Sequence, residues 1–296
     1  MQHSFLDTDL HAPIINVAMV PQRSPFRYPG GKTWLVPYIR AWLRSLPFRP
    51  AECIEPFAGG GIVSLTVAFE HLADHVTMVE LDDHVASVWQ TLLSGDAEWL
   101  VERIMTFEVT RETVAAVLSA APVTSEERAF QTILKNRVNR GGILAAGASM
   151  VKHGENGKGL TSRWYPQTLK RRILDIVALR DRITFVHGDG LNLVRQHARR
   201  DDVVWFIDPP YTAAGKRAGS RLYTHSELDH EELFRLASTL AGDFLMTYDD
   251  AEEVRSLARR YGFDTYLVAM KNTHHARMTE LLVGRCLDWA RPMLSS

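Results

Sequence analysis

No apolar run in this chain reaches the roughly 18 residues that a spanning helix needs, which argues against an α-helical membrane protein. Met1 to Ile15 lacks the basic start and long apolar stretch of a secretory leader, so none is expected. Cysteine is scarce. Cys53 and Cys286 form neither a metal-binding spacing nor a disulfide framework, and the expected compartment is the reducing cytoplasm. No metal is expected either, and the adjacent His274 and His275 read as loop residues rather than ligands. There is no repeat, no low-complexity tract and no compositional bias toward disorder, which leaves an ordinary globular protein. Its 296 residues suffice for one large domain, or for one domain carrying an insertion. Excess charge of one sign is missing too: the formal net charge is −1, which taken alone argues against a nucleic-acid partner.

The distribution of charge says otherwise. Between Thr132 and Arg172 stand nine basic residues, Lys135, Arg137, Arg140, Lys152, Lys158, Arg163, Lys170, Arg171 and Arg172, against Glu155 alone, a local balance of +8. A patch of that kind is the electrostatic footprint of a phosphate-backbone binder, although a solvated helix face has the same composition.

One nucleotide-binding signature is half present. Gly31-Lys32-Thr33 matches the end of a phosphate-binding loop, but the first glycine of that motif falls on Phe26. Pro21, Pro25 and Pro29 also break any strand that would feed the loop. An ATPase is therefore disfavoured.

The periodicity predicts a helix over 33–45, then a strand over 52–57 that enters the turn Ala58-Gly59-Gly60-Gly61. A helix over 62–72, a strand over 75–80 and a helix over 83–93 follow, the last capped by Asp82. From 96 to 182 the pattern is helical, with a cap at Thr124 to Glu127 and a loop rich in glycine and basic residues over 141–164. Strands over 183–186, 203–207, 243–247, 265–269 and 280–283 then alternate with helices over 229–240 and 251–261. The expected fold is an α/β, Rossmann-like sheet built from 23–95 and 183–286, split by a mostly helical insertion over 96–182 and preceded by an extension over 1–22.

Glu55-Pro56-Phe57-Ala58-Gly59-Gly60-Gly61 ends a strand and opens a helix, so glycine N–H groups can meet a ligand at the helix N-terminus. Glu80, at the end of the next strand, stands where an acid would bind ribose hydroxyls. The dinucleotide pattern fails because Ser64 occupies the position of its third glycine. A shorter turn with a ribose acid suits an adenosyl ligand without pyrophosphate, of which S-adenosylmethionine is the obvious one.

Asp208-Pro209-Pro210-Tyr211 follows the apolar run Val203 to Ile207, at the carboxyl edge of the sheet where ligands bind. The amino group of an adenine is a poor nucleophile because its lone pair is delocalised into the ring. An aspartate oxygen and a nearby carbonyl, each accepting one amino hydrogen, favour a tetrahedral nitrogen aimed at a methyl donor. Asp208 and the Pro209 carbonyl can do this, with Tyr211 stacking on the base. In a duplex the base must first leave the stack. The same chemistry suits cytosine N4, an RNA adenine or a glutamine amide.

These segments together resemble the Dam-type DNA adenine methylases. The resemblance rests on Phe26-Arg27-Tyr28-Pro29-Gly30-Gly31-Lys32, the glycine turn, Glu80, Asn136-Arg137, Asp189, Asp208 to Tyr211 and the closing Thr279-Glu280-Leu281-Leu282-Val283, in the order of that family. It implies a site-specific adenine-N6 methyltransferase that uses S-adenosylmethionine. By resemblance the cofactor residues are Tyr28, Gly30, Gly31, Lys32, Glu55, Phe57, Gly59, Gly61, Glu80 and Asp189, with Lys32 near the methionine carboxylate and Asp189 near the adenine. The catalytic residues are Asp208, Pro209, Pro210 and Tyr211. The insertion is then the recognition element, with Arg27, Asn136, Arg137, Arg140 and Lys152 directed to double-stranded DNA. The resemblance also admits a cognate restriction endonuclease as partner. The chain departs from the family at Tyr28, Pro29 and the run Val138 to Gly142.

Overall fold

The computed structural model describes residues 20–27, 31–145, 147–154, 157–210, 228–271 and 277–291. Strands β1 (Glu52–Glu55), β2 (His75–Glu80), β3 (Ile183–His187), β4 (Val203–Ile207), β5 (Phe244–Asp249), β6 (Asp264–Lys271) and β7 (Arg277–Gly284) form one sheet in the order β3-β2-β1-β4-β5-β7-β6. Every neighbouring pair is parallel except those made by β7, which is antiparallel to both β5 and β6. The chain builds outward from β1 to β3 and then restarts at β4 on the other side of β1. That reversal opens a crevice at the carboxyl ends of β1 and β4.

All five residues of β4 are buried, as its unbroken apolar run requires of a strand covered on both faces. Side chains alternate along a strand, so Val204 and Phe206 enter one apolar cluster while Val203, Trp205 and Ile207 enter the other. The first cluster holds α1 (Val36–Ser45), α2 (Ile62–Phe69) and α3 (Asp83–Leu93). The second holds α8 (Gly190–His197), α9 (His230–Ser238) and α10 (Glu252–Tyr261). The result is a helix–sheet–helix sandwich.

Residues 96–182 carry α4 (Ala97–Thr106), α5 (Arg111–Ser119), α6 (Ser125–Val138) and α7 (Pro166–Val177), and no strand among the described residues. These helices share the first apolar cluster with α3, through Leu100, Ile104, Phe130, Ile133, Leu169 and Ile173. Their starts follow local chemistry. Thr124 accepts from the Glu127 amide while Glu127 reaches back to the Thr124 amide, a reciprocal cap. Asp82 caps α3 by accepting from His84 and Val85.

The strap over 24–27 is tied down from two sides. Ser24 Oγ donates to the Gly60 carbonyl at 2.5 Å. On the other side Asn136 of α6, with no exposed surface, accepts from Arg27 N (2.8 Å) and donates to the carbonyls of Arg27 (3.0 Å) and Gly142 (2.7 Å). Asn136→Ala would leave three buried backbone groups without partners. It is expected to lower the unfolding free energy by roughly 2–4 kcal/mol, read from urea denaturation.

Candidate active site

A cavity of about 750 Å3 opens at the crevice, lined by residues from the carboxyl ends of β1, β2 and β4 and the loop after β3. That size suits a cofactor-sized molecule. Among the sequence-derived candidates, Arg27, Gly31, Lys32, Glu55, Phe57, Gly59, Gly61, Glu80, Arg137, Asp189, Asp208, Pro209 and Pro210 line it. Tyr28, Gly30 and Tyr211 lie outside the described residues, as do His274 and His275.

Glu55 ends β1 beneath the glycine turn and is buried. Its Oε2 accepts from Ser64 N at 2.9 Å and from the Ser64 hydroxyl, which pins the first turn of α2. Burial pushes its carboxyl up to about 8, against the pull of those Ser64 bonds. Gly61 adopts φ +63°, and a Cβ there would stand 2.5 Å from Met78 Cε and 2.8 Å from Trp89. Side-chain packing therefore demands this glycine by itself. Trp89 Nε1 also donates to the Gly59 carbonyl at 2.9 Å, fixing the turn from below.

Glu80 ends β2 and accepts three backbone N–H groups, from Gly59 (2.9 Å), Leu81 (2.8 Å) and Asp82 (2.9 Å). Burial raises its carboxyl pKa, and these hydrogen bonds oppose the rise. Asp189 caps α8 through Leu191 N at 2.9 Å. A Cβ on the next residue, Gly190, would stand 2.1 Å from the Pro56 carbonyl oxygen, so α8 can approach β1 only with glycine there. Leu81 is 44% exposed and lines the same cavity, an apolar wall that sequence patterning missed.

Asp208 follows β4 directly. Thr247 of β5 donates to its Oδ1 at 2.7 Å, and Lys32 Nζ stands 3.1 Å from the same oxygen. Lys32 is only 3% exposed and also lies 3.4 Å from both oxygens of Glu280 on β7. One ammonium thus faces two carboxylates. Burial pushes the Glu280 carboxyl up to about 7; Lys32 opposes that and Asp208 adds to it. Thr247 and Glu280 were missed as site residues, yet each is a polar residue inside an otherwise apolar strand, which is a usable signal.

The basic segment divides in two. Arg140, Lys152, Lys158, Lys170 and Arg171 are exposed, Lys135, Arg163 and Arg172 are half-buried, and Arg137 is buried. Two expected DNA contacts therefore differ in position. Asn136 is consumed by the strap, and Arg137 is turned inward with Nη2 donating to the Pro25 carbonyl. The reason is the packing of α6 against α3, which places both residues on the covered side of the helix. Arg27 is half-buried with both its backbone groups held by Asn136, and its Nη1 is buried without a hydrogen-bond partner among the described residues.

Among the described residues no group of His, Cys, Asp and Glu stands together as a metal site, and no helix is long and apolar enough to cross a membrane. No curated protein sequence matches the chain. Among solved structures it is similar to the rRNA methyltransferase AviRa from Streptomyces viridochromogenes, at 14% identity over 92% of this chain and 93% of that one, with a TM-score of 0.40. It is also similar to a precorrin-6y C5,15-methyltransferase from Geobacter metallireducens, at 8% identity over 83% of this chain and 85% of that one, with a TM-score of 0.35. Likeness this distant carries nothing about the site. The family model of the D12 class N6 adenine-specific DNA methyltransferases, in contrast, matches residues 28–273, which takes in strands β1 to β6 and the helices between them. The chain belongs to the D12 class N6 adenine-specific DNA methyltransferase family.

Proposed function

We propose that this enzyme methylates the N6 amino group of an adenine extruded from double-stranded DNA, using S-adenosylmethionine. The observation that carries the reading is Asp208, held by Thr247 and Lys32 at the mouth of the β1/β4 crevice, in one cavity with the glycine turn and Glu80. When bound, S-adenosylmethionine supplies an electrophilic methyl group on a sulfonium. Glu80, fixed by three N–H groups, keeps acceptor capacity for ribose hydroxyls, and Leu81 and Leu191 offer apolar walls to a planar base. Asp208 accepts an amino hydrogen of the adenine, turns the nitrogen lone pair out of the ring plane and takes up the proton released on transfer. Lys32 and Thr247 hold that carboxylate in one orientation.

We assign residues 96–182 to target recognition. The exposed Arg140, Lys152, Lys158, Lys170 and Arg171 are its contribution to phosphate contacts. Long-read sequencing of DNA from cells expressing the protein should reveal N6-methyladenine in one sequence context, absent from cells expressing the Asp208→Ala variant. Methylcytosine in its place, or unmodified DNA, would overturn the reading.

A further inference from the structure

Four arginines line the cavity, and two of them, Arg137 and Arg172, have no carboxylate partner among the described residues. Arg137 of α6 is 5% exposed, and Arg172 of α7 is half-buried. Arg137 Nη2 donates to the Pro25 carbonyl and Arg172 Nη1 to the neighbouring Ser24 carbonyl at 2.9 Å, so the two groups hang side by side on the strap. Each Nε is buried without a hydrogen-bond partner among the described residues. Burial holds the Arg137 pKa down to about 10, the charge of Arg172 adds to the effect, and the Tyr165 phenol opposes it. Like charges buried together without a counter-ion are costly to maintain. Holding the strap uses one N–H from each and does not require two cations.

The cavity itself indicates which anion they suit. Arg137 is too enclosed for a duplex backbone to reach, whereas a small ligand that fills the cavity can. The strap that carries both arginines touches the glycine turn directly, through Ser24 Oγ and the Gly60 carbonyl. At the opposite pole, Glu80 and Asp189 provide acceptors for hydroxyl and amino groups. A ligand matching this polarity is a nucleoside at one end and an anion at the other. Lys32 is poorly placed to receive that anion, because Asp208 at 3.1 Å and Glu280 at 3.4 Å already face its ammonium, and a third carboxylate there would meet two others.

We propose that Arg137 and Arg172 bind the α-carboxylate of the cofactor's amino-acid tail, in place of Lys32. The assignment rests on S-adenosylmethionine being the methyl donor. Calorimetry on the full chain tests it with two probes, S-adenosylhomocysteine and 5′-methylthioadenosine, which lacks the amino-acid tail. Arg172→Gln is expected to weaken S-adenosylhomocysteine binding roughly 10- to 100-fold, the effect of losing charge-assisted hydrogen bonds, and to leave 5′-methylthioadenosine binding unchanged. Arg137→Gln should behave alike; if it fails to fold, Arg172→Gln carries the test. Unchanged S-adenosylhomocysteine affinity in Arg172→Gln, or a parallel loss for both probes, overturns the proposal. So does a result in which Lys32→Gln, and not Arg172→Gln, separates the two ligands. Wild-type protein that binds neither probe would instead bring down the cofactor reading, and this assignment with it.

Discussion

Asp208→Ala is expected to lower the single-turnover rate of methyl transfer to DNA by roughly 10²- to 10⁴-fold, the usual scale for removing a positioned acceptor of charge or protons. Binding of S-adenosylhomocysteine should survive, because Glu80, Asp189 and the glycine turn are held by their own backbone partners and not by Asp208. Asp208→Asn should be nearly as damaging. It preserves the shape but puts an N–H donor where an amino hydrogen has to be accepted. Thr247→Val should cost much less, because it frees the orientation of the carboxylate without removing it. Transfer measured with a labelled methyl donor under single-turnover conditions separates these variants. An Asp208→Ala enzyme with undiminished transfer would show that the acceptor of the amino hydrogen lies elsewhere.

How much of this could be read from the sequence depended on how local the determinant was. The β4 run Val203 to Ile207 was legible as a buried strand because no polar residue interrupts it, and the capping signals at Asp82 and Thr124 placed the starts of α3 and α6 correctly. The α8 helix was not anticipated. It is short, opens on Gly190 and owes its start to Asp189, which the family resemblance gives as a cofactor residue alone. Charge density identified a basic segment but not its inward-facing members, because which face of α6 is covered depends on α3, some 40 residues earlier in the chain. The glycine turn shows a different limit. Gly61 was read as making room for a ligand, and the structure adds a packing requirement from Met78 and Trp89 that would preserve the glycine in any case. Lys32 and Glu280 are separated by 248 positions, so their pairing is visible only once β7 is inserted beside β5.

That pairing makes Lys32 the second position of large expected effect. Lys32→Met leaves Asp208 and Glu280 facing one another across a buried space with no cation between them. Breaking a buried ion pair by removing one partner typically costs about 3–5 kcal/mol, and here two carboxylates are left behind. The cost should depend on pH, with a sign fixed by Glu280. Its carboxyl sits at about 7 in the fold, above its ordinary value, so the folded state holds a proton that the unfolded chain releases at lower pH. The stability from this group is complete below the ordinary carboxylate range and is lost as pH rises through about 7. In the wild-type protein, Lys32 limits that loss by stabilising the ionised form. Without Lys32 the carboxyl should titrate higher still, so the deficit of Lys32→Met should be smallest near pH 5 and grow toward pH 8. Adding Glu280→Gln removes the titrating group and should restore much of the stability at pH 8 without restoring methyl transfer. Urea denaturation of the wild type and both variants at the two pH values gives the comparison. A deficit independent of pH, or one that Glu280→Gln deepens at pH 8, would mean that Lys32 supports this corner of the sheet by packing and not by holding two acids apart.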